Sequence, residues 1–117
     1  MAETARFQEI LRRLALIDER FIDERARLSV AAADDVDPKT TALVRVGVLV
    51  ALGSPAVCLE WSTSRALAAG ATENEIIDVL LAIAPVIGLS RVAGAAPGVA
   101  DALGYDLEAA LDDPGSP

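Results

Sequence analysis

The sequence of 117 residues contains no histidine and only one cysteine, Cys58. Histidine is the commonest general base and metal ligand near neutral pH, so its absence excludes the usual zinc and iron sites, and we predict no metal. One cysteine cannot form a disulfide within the chain, which is typical of proteins from the reducing cytoplasm. No glycine-rich phosphate loop or nucleophile elbow is present either, so we predict no cofactor.

Basic residues and long apolar runs are also scarce. Ten lysines and arginines stand against 18 aspartates and glutamates, a formal net charge of −8. An acidic surface repels nucleic acid and anionic membranes, so we expect neither as a partner. The apolar runs at 42–52 and 76–89 are too short to span a bilayer, and the first nine residues have no apolar signal-peptide core. These features predict a cytoplasmic protein.

Apolar residues, by contrast, are abundant and make up 53% of the chain. Soluble proteins contain about 45–50%. The length predicts a single domain, over residues 1–112, followed by a disordered tail at 113–117. A domain of this size cannot hide so much apolar surface alone, so we expect a homo-oligomer that buries part of it between subunits.

The first part of the chain has the apolar periodicity of two helices. One apolar stripe with a charged opposite face predicts a helix over 3–28. A linker is predicted at 29–36. Asp37 then has the character of an N-cap for a second helix over 38–52, which Gly53 ends. That second helix is apolar nearly all round, which is typical of a helix buried on every side.

Three further helices follow the same punctuation. Ser54 is predicted to cap a third helix over 55–69. Thr72 and Glu75 match a capping box that begins a fourth helix, and Pro85 is expected to kink it. The fifth helix is predicted over 90–103, weakened or broken by Gly94, Pro97 and Gly98. The fold class is therefore all-α, a small bundle of about five helices.

Three segments in this order resemble the carboxymuconolactone decarboxylase family, which includes the alkylhydroperoxidase D-like proteins. They are Asp-Pro-Lys-Thr-Thr-Ala-Leu-Val at 37–44, Ala-Leu-Ala-Ala-Gly-Ala-Thr-Glu-Asn-Glu-Ile-Ile-Asp-Val-Leu-Leu at 66–81 and Ala-Pro-Val-Ile-Gly-Leu-Ser-Arg at 84–91. The resemblance covers roughly residues 36–92. It implies an all-α domain that assembles with itself as a homotrimer or homohexamer.

Known members of that family include a lyase and thiol peroxidases, and the residues of this sequence match their motifs only in part. One branch contains a lyase that decarboxylates a muconolactone, and another contains thiol peroxidases with a Cys-x-x-Cys pair and a histidine four residues further on. The second cysteine of that motif corresponds to Cys58, but the first corresponds to Pro55 and the histidine to Ser62. The glutamate of the proton relay corresponds to Ala42. A two-cysteine peroxidase needs a resolving thiol and a group that activates the attacking thiol, so we do not expect that mechanism here.

The third predicted helix carries most of the candidate site. Cys58, Trp61, Ser62 and Arg65 share one face at spacings of three and four residues. In a pocket wall, Cys58 would be the nucleophile, Arg65 would stabilise its thiolate and Ser62 would donate a hydrogen bond. Trp61 would be the floor of a substrate site. The alternative is packing, with Cys58 a buried small side chain and Trp61 in the core or at a subunit interface.

Three charged residues complete the candidates. Glu60, in a largely apolar helix, is either a general base in a dry pocket or the partner of Arg45 in an ion pair between helices. Arg91 follows the turn at 85–88 and resembles a position near the mouth of the family's pocket. There it would hold a substrate carboxylate, or else form a surface salt bridge.

Three functions fit these residues. The first is an enzyme with lyase-type chemistry that binds a small anionic organic substrate in a pocket between helices at a subunit interface. The catalytic residues would be Cys58, Glu60 and Ser62, and the binding residues Arg45, Trp61, Arg65 and Arg91. The second is a non-catalytic oligomeric binding or assembly protein, which the missing histidine favours. The third is a peroxidase-like activity that uses Cys58 alone.

Overall fold

A computed structural model of the chain describes residues 2–27 and 35–112. These residues form seven α-helices and no strand, so the all-α prediction is confirmed. None of these helices combines the length with the apolar character that crossing a bilayer requires. The chain divides into two compact units, an N-terminal unit at 1–34 and a C-terminal unit at 35–117. Most of the predicted linker at 29–36 and the tail at 113–117 lie outside the described residues.

The N-terminal unit holds two helices where we predicted one. Helix α1 (Ala2–Ala15) ends before α2 (Glu19–Arg27) begins, so the single helix over 3–28 is wrong. Ile17 lies in the left-handed region, with φ of 54°, and the Asp18 amide donates to the Arg13 carbonyl at 3.0 Å. An Asp18 carboxylate oxygen accepts from the Phe21 amide at 3.2 Å, which caps the new helix.

The first helix of the C-terminal unit begins and ends as predicted. Helix α3 (Pro38–Ala51) starts after Asp37, whose carboxylate accepts from the Thr40 amide at 2.8 Å. At its other end Gly53 has a φ of 68°, which glycine adopts without steric cost. The Ser54 amide then donates back to the Leu49 carbonyl at 3.1 Å and closes the turn.

The next two helices follow their predicted order with one correction. Ser54 does not cap α4 (Ala56–Ala68), because Pro55 occupies the N-cap position and no side chain bonds the free amides there. The capping box of α5 (Glu73–Ile87) is confirmed, with Thr72 accepting from the Glu75 amide at 3.0 Å. Pro85 lies inside that helix, which continues for two more residues, and the kink expected there stays a prediction.

The last two helices differ from prediction in continuity and number. Helix α6 (Leu89–Ala102) is unbroken, with Pro97 inside it. Gly98 is the point of close approach to α4, because a Cβ there would lie 3.1 Å from the Ala56 carbonyl oxygen. A short helix α7 (Leu107–Asp112), which we did not predict, follows the turn at Gly104.

The C-terminal unit contains the buried core. Helix α4 packs against both α6 and α3, and α5 packs against α3 and α6. The core residues come from all four of these helices and the α4–α5 connection: Val46, Val50, Leu59, Ala66, Ala71, Ile76, Leu80, Ala95 and Val99. Helices α3 and α5 are not covered on every side within one chain, since Val44, Val48 and Leu81 are exposed.

Candidate functional site

The four candidates that were predicted to share one face of α4 do not share one environment. Ser62 is only 4% exposed and faces the core with the neighbouring Thr63 and Ala66. Cys58, Trp61 and Arg65 lie on the exposed side of the same helix. The predicted pocket wall is therefore split, and Ser62 is turned towards the interior while the other three face outwards.

Trp61 and Arg65 contact each other on that exposed side. The Arg65 guanidinium carbon lies 4.7 Å from the centroid of the Trp61 ring, a cation–π arrangement. Trp61 is 61% exposed, so packing in the core of its own chain is excluded. The interaction that the structure records for the Arg65 guanidinium is with the Trp61 ring and not with the Cys58 sulfur. Trp61 lies about one helical turn after Cys58 on α4.

Cys58 is a free and exposed thiol in the first turn of α4. Its amide donates to the Pro55 carbonyl at 3.0 Å. The interpretation of Cys58 as a buried small side chain is wrong for the single chain. Its exposure lets a reagent reach the sulfur.

Glu60 and Arg45 are not brought together. Glu60 is half-buried and Arg45 is exposed on α3. Among the described residues, no ion pair joins the two side chains. The predicted ion pair across the helix interface is therefore absent from this part of the chain.

Arg91 borders a cleft of about 290 Å³ at the end of α3 and the beginnings of α4 and α6. The walls combine apolar side chains with two hydroxyl groups and one cation, and no acidic residue contributes to them. The lining residues are Val50, Gly53, Ser54, Leu59, Ser90, Arg91, Gly94 and Ala95.

The Arg91 side chain lies against the α3–α4 turn. Its Nη1 atom is 2.6 Å from the position that a Cβ on Gly53 would take. Within residues 2–27 and 35–112, Arg91 forms no ion pair or hydrogen bond. The alternative of a surface salt bridge is therefore not seen, and the guanidinium donors remain open to a ligand.

Sequence analysis missed the other polar residues of this cleft. Ser54 was interpreted as a helix cap and Ser90 as the start of a helix, yet both line the cleft beside Arg91. The signal that was present is local: Ser54 follows a left-handed glycine, and Ser90 precedes the arginine. Nothing in the sequence shows that residues 53–54 and 90–91 meet.

The comparison with protein families decides the relationship. The model of the carboxymuconolactone decarboxylase family matches residues 20–102. The chain belongs to this family. No curated protein and no solved structure matches it. As a family member, this chain has the buried Ser62 where the resemblance places the histidine, and the described residues hold no cluster of three or more metal-ligand side chains.

Proposed function

We propose that this family member binds a small organic anion in the cleft that Arg91 borders. The observation that carries the proposal is the Arg91 guanidinium, which has no acidic partner in the described residues and stands at the edge of a cleft without acidic lining. In a chain of net charge −8, a cation in such a place attracts anions that the rest of the surface repels. An arginine fork also matches a carboxylate geometrically.

The cleft sets the size and character of the ligand. Liquid water takes about 30 Å³ per molecule, so the cleft of about 290 Å³ has room for an organic molecule of about ten non-hydrogen atoms. Val50, Leu59 and Ala95 supply an apolar wall for its body, while Ser54 and Ser90 supply hydroxyl groups near its charge. A carboxylate on a short apolar body fits this arrangement.

Binding without chemistry is the function that these walls support best. A lyase needs a general acid or base in contact with its substrate, and the polar side chains among the lining residues of the cleft are two serine hydroxyls and one guanidinium. Glu60, Cys58 and Ser62 are not among the lining residues. Lyase-type chemistry would therefore need groups from a second subunit or from another face.

Calorimetric titration with benzoate tests the proposal, with benzamide as a neutral ligand of the same shape. We expect benzoate to bind and benzamide to bind at least about tenfold more weakly, a difference of about 1.4 kcal/mol. Arg91→Gln should weaken benzoate binding at least about tenfold and leave a residual affinity that can still be measured. Arg20→Gln is the matched control, because the Arg20 side chain is 91% exposed in the N-terminal unit. Equal binding of both ligands, or no effect of Arg91→Gln, would show that the proposal is wrong.

We also propose that the chain forms a homotrimer or homohexamer. The support is an apolar groove of about 550 Å³ between α3 and α5, lined by Val44, Val48, Val79 and Ile83 among others, with no charged side chain. Such a face is expected to be covered in a soluble protein. Sedimentation velocity of the full chain tests this: a species of three or six times 12.1 kDa is expected, and a monomer contradicts it.

A second candidate function is thiol chemistry at Cys58, which its exposure favours. In a peroxidase-like step the thiolate sulfur would attack a peroxide oxygen, the O–O bond would break, an alcohol would leave and a sulfenic acid would form. An external thiol would then have to reduce it, because the chain has no second cysteine. The rate of Cys58 alkylation across pH tests this. A midpoint well below the free-cysteine value of about 8.5 supports an activated thiol, and an ordinary midpoint contradicts it.

A further inference from the structure

At Gly53 in the α3–α4 turn, the end of the Arg91 side chain lies where a side chain on residue 53 would otherwise be. A Cβ on Gly53 would lie 2.6 Å from Arg91 Nη1 and 3.7 Å from its Cζ, so no other residue fits there while Arg91 keeps its position. Three other glycines with positive φ, at 70, 88 and 104, have nothing within 4 Å of the same point. The positive φ alone explains why glycine is found at those three positions. Glycine at position 53 also leaves room for the Arg91 side chain.

Both partners are held by their own backbones. Gly53 sits in a closed turn, since its amide donates to the Val50 carbonyl and the Ser54 amide donates to the Leu49 carbonyl, both at 3.1 Å. Arg91 lies in the first turn of α6, and α6 packs closely on α4 through Gly98. The backbone that carries Arg91 therefore belongs to a helix that is packed on α4, which directly follows the turn.

We infer that Gly53 is a positioning residue, which seats the Arg91 guanidinium on the α3–α4 turn and so aims it at the anion cleft. This inference rests on the proposed function. A long flexible side chain that is ordered before the ligand arrives loses less entropy on binding. On this inference, a Cβ at position 53 makes the flexible end of the Arg91 side chain move away from the turn, and anion binding weakens although Arg91 itself is unchanged.

A double-mutant cycle on benzoate binding tests the inference. Gly53→Ala should weaken binding at least about tenfold in the wild-type background and have no further effect in the Arg91→Gln background. Gly104→Ala is the matched control, because its φ of 72° is close to the 68° of Gly53 and no atom lies near its Cβ position. Both alanines strain the backbone, so an effect of strain alone would appear in both variants and in both backgrounds.

A second measurement needs no ligand. The heteronuclear NOE of the Arg91 Nε–H group should show a restrained side chain in the wild type and in Gly104→Ala, and a mobile one in Gly53→Ala. Equal restraint in Gly53→Ala and Gly104→Ala overturns the inference, whatever benzoate does. Failure of the wild type to bind benzoate overturns the proposed function instead, and the NOE then decides whether Gly53 positions Arg91.

Discussion

The two units of this chain are both helical, but different forces hold their helices. In the N-terminal unit the recorded contacts are local and exposed: Glu9 pairs with Arg12 and Arg13 at 2.9 Å, within one helical turn. Arg13 and Arg25 lie over the Phe21 ring at 5.4 and 5.6 Å. In the C-terminal unit, buried residues from four helices form a shared core.

This difference indicates where the stability of the chain resides. Exposed ion pairs between neighbouring turns contribute only about 0.3–0.5 kcal/mol each and are screened by salt. A helix as short as α2, with nine residues, is marginal without tertiary packing. Burial of a large aliphatic side chain contributes about 1.5–3 kcal/mol. We therefore expect substitutions in the core of the C-terminal unit to dominate any comparison between the units.

The largest effect is expected from Ile76→Ala, because Ile76 is 0% exposed at the centre of the core. The truncation removes buried methyl groups and leaves a cavity, so the free energy of unfolding should fall by about 2–5 kcal/mol. Ile77→Ala on the same helix is the matched control, since Ile77 is 39% exposed and should lose far less. Urea unfolding of the full-length chain measures both. Equal losses would contradict the placement of the core.

Smaller changes in the free energy of unfolding are expected when two glycines of α6 are replaced by alanine, and the two changes should have opposite signs. A Cβ on Gly98 would lie 3.1–3.2 Å from Ala56 and Leu59, whereas nothing lies within 4 Å of the Cβ position on Gly94. Gly94→Ala should stabilise the helix by up to about 1 kcal/mol. Gly98→Ala has the same gain in helix propensity, but overpacking costs about 1–3 kcal/mol, so a net loss of about 1 kcal/mol is expected. Stabilisation by both variants would show that α6 does not approach α4 closely.

Local signals allowed much of the fold to be predicted. Asp37, the capping box at 72–75 and the glycine at 53 each act within one turn, and the structure places helix ends at all three. The break at Ile17 was missed because it contains no glycine or proline, and a β-branched residue rarely adopts positive φ. Its one signal was Asp18, which caps α2.

The candidate site was harder to predict, because it depends on which face of each helix is covered. Spacing alone placed Ser62 with Cys58 and Arg65, but the packing of α4 against α3 and α6 turns Ser62 inward. The cleft brings together residues 53 and 91, which are 38 positions apart in the sequence. The sequence alone does not show that they are in contact. Arg91 was predicted as a binding residue and does border the cleft, whereas the residues that complete it were not predicted.

A change of about 1 kcal/mol in the free energy of unfolding is expected from substitution of Thr63 in the core of the C-terminal unit. This substitution tests the cost of burying a polar group. Thr63 is fully buried, and its hydroxyl has no hydrogen-bond partner within the described residues. Thr63→Val keeps the shape and removes the unsatisfied hydroxyl, so the free energy of unfolding should rise by about 1 kcal/mol. Thr63→Ser keeps the hydroxyl and loses a methyl group, so it should fall by about 0.8 kcal/mol. Destabilisation by valine would mean that the hydroxyl is satisfied, for example by a buried water.

The smallest effects on stability are expected at acid pH, from one glutamate in each unit, Glu9 and Glu75. Hydrogen bonds from Arg12 and then Arg13 lower the pKa of Glu9 from 4.5 to about 2, and the Thr72 amide followed by Lys39 lowers the pKa of Glu75. A lowered folded-state pKa stabilises the fold above the unfolded value, and this contribution is lost as pH falls from about 4.5 through the folded value. Acid should therefore lower the thermal midpoint of the wild type.

The two glutamine variants separate the units in that acid range. Glu75 joins α3 to α5 through Lys39 at 2.9 Å, so Glu75→Gln should lower the midpoint at neutral pH and reduce its dependence on acid. Glu9→Gln removes only contacts within α1, which solvent and salt screen, so its midpoint should follow the wild type closely. Circular dichroism melts from neutral pH down to about pH 2 measure both variants. A larger change in Glu9→Gln than in Glu75→Gln would mean that local pairs in the N-terminal unit contribute more than the link between helices.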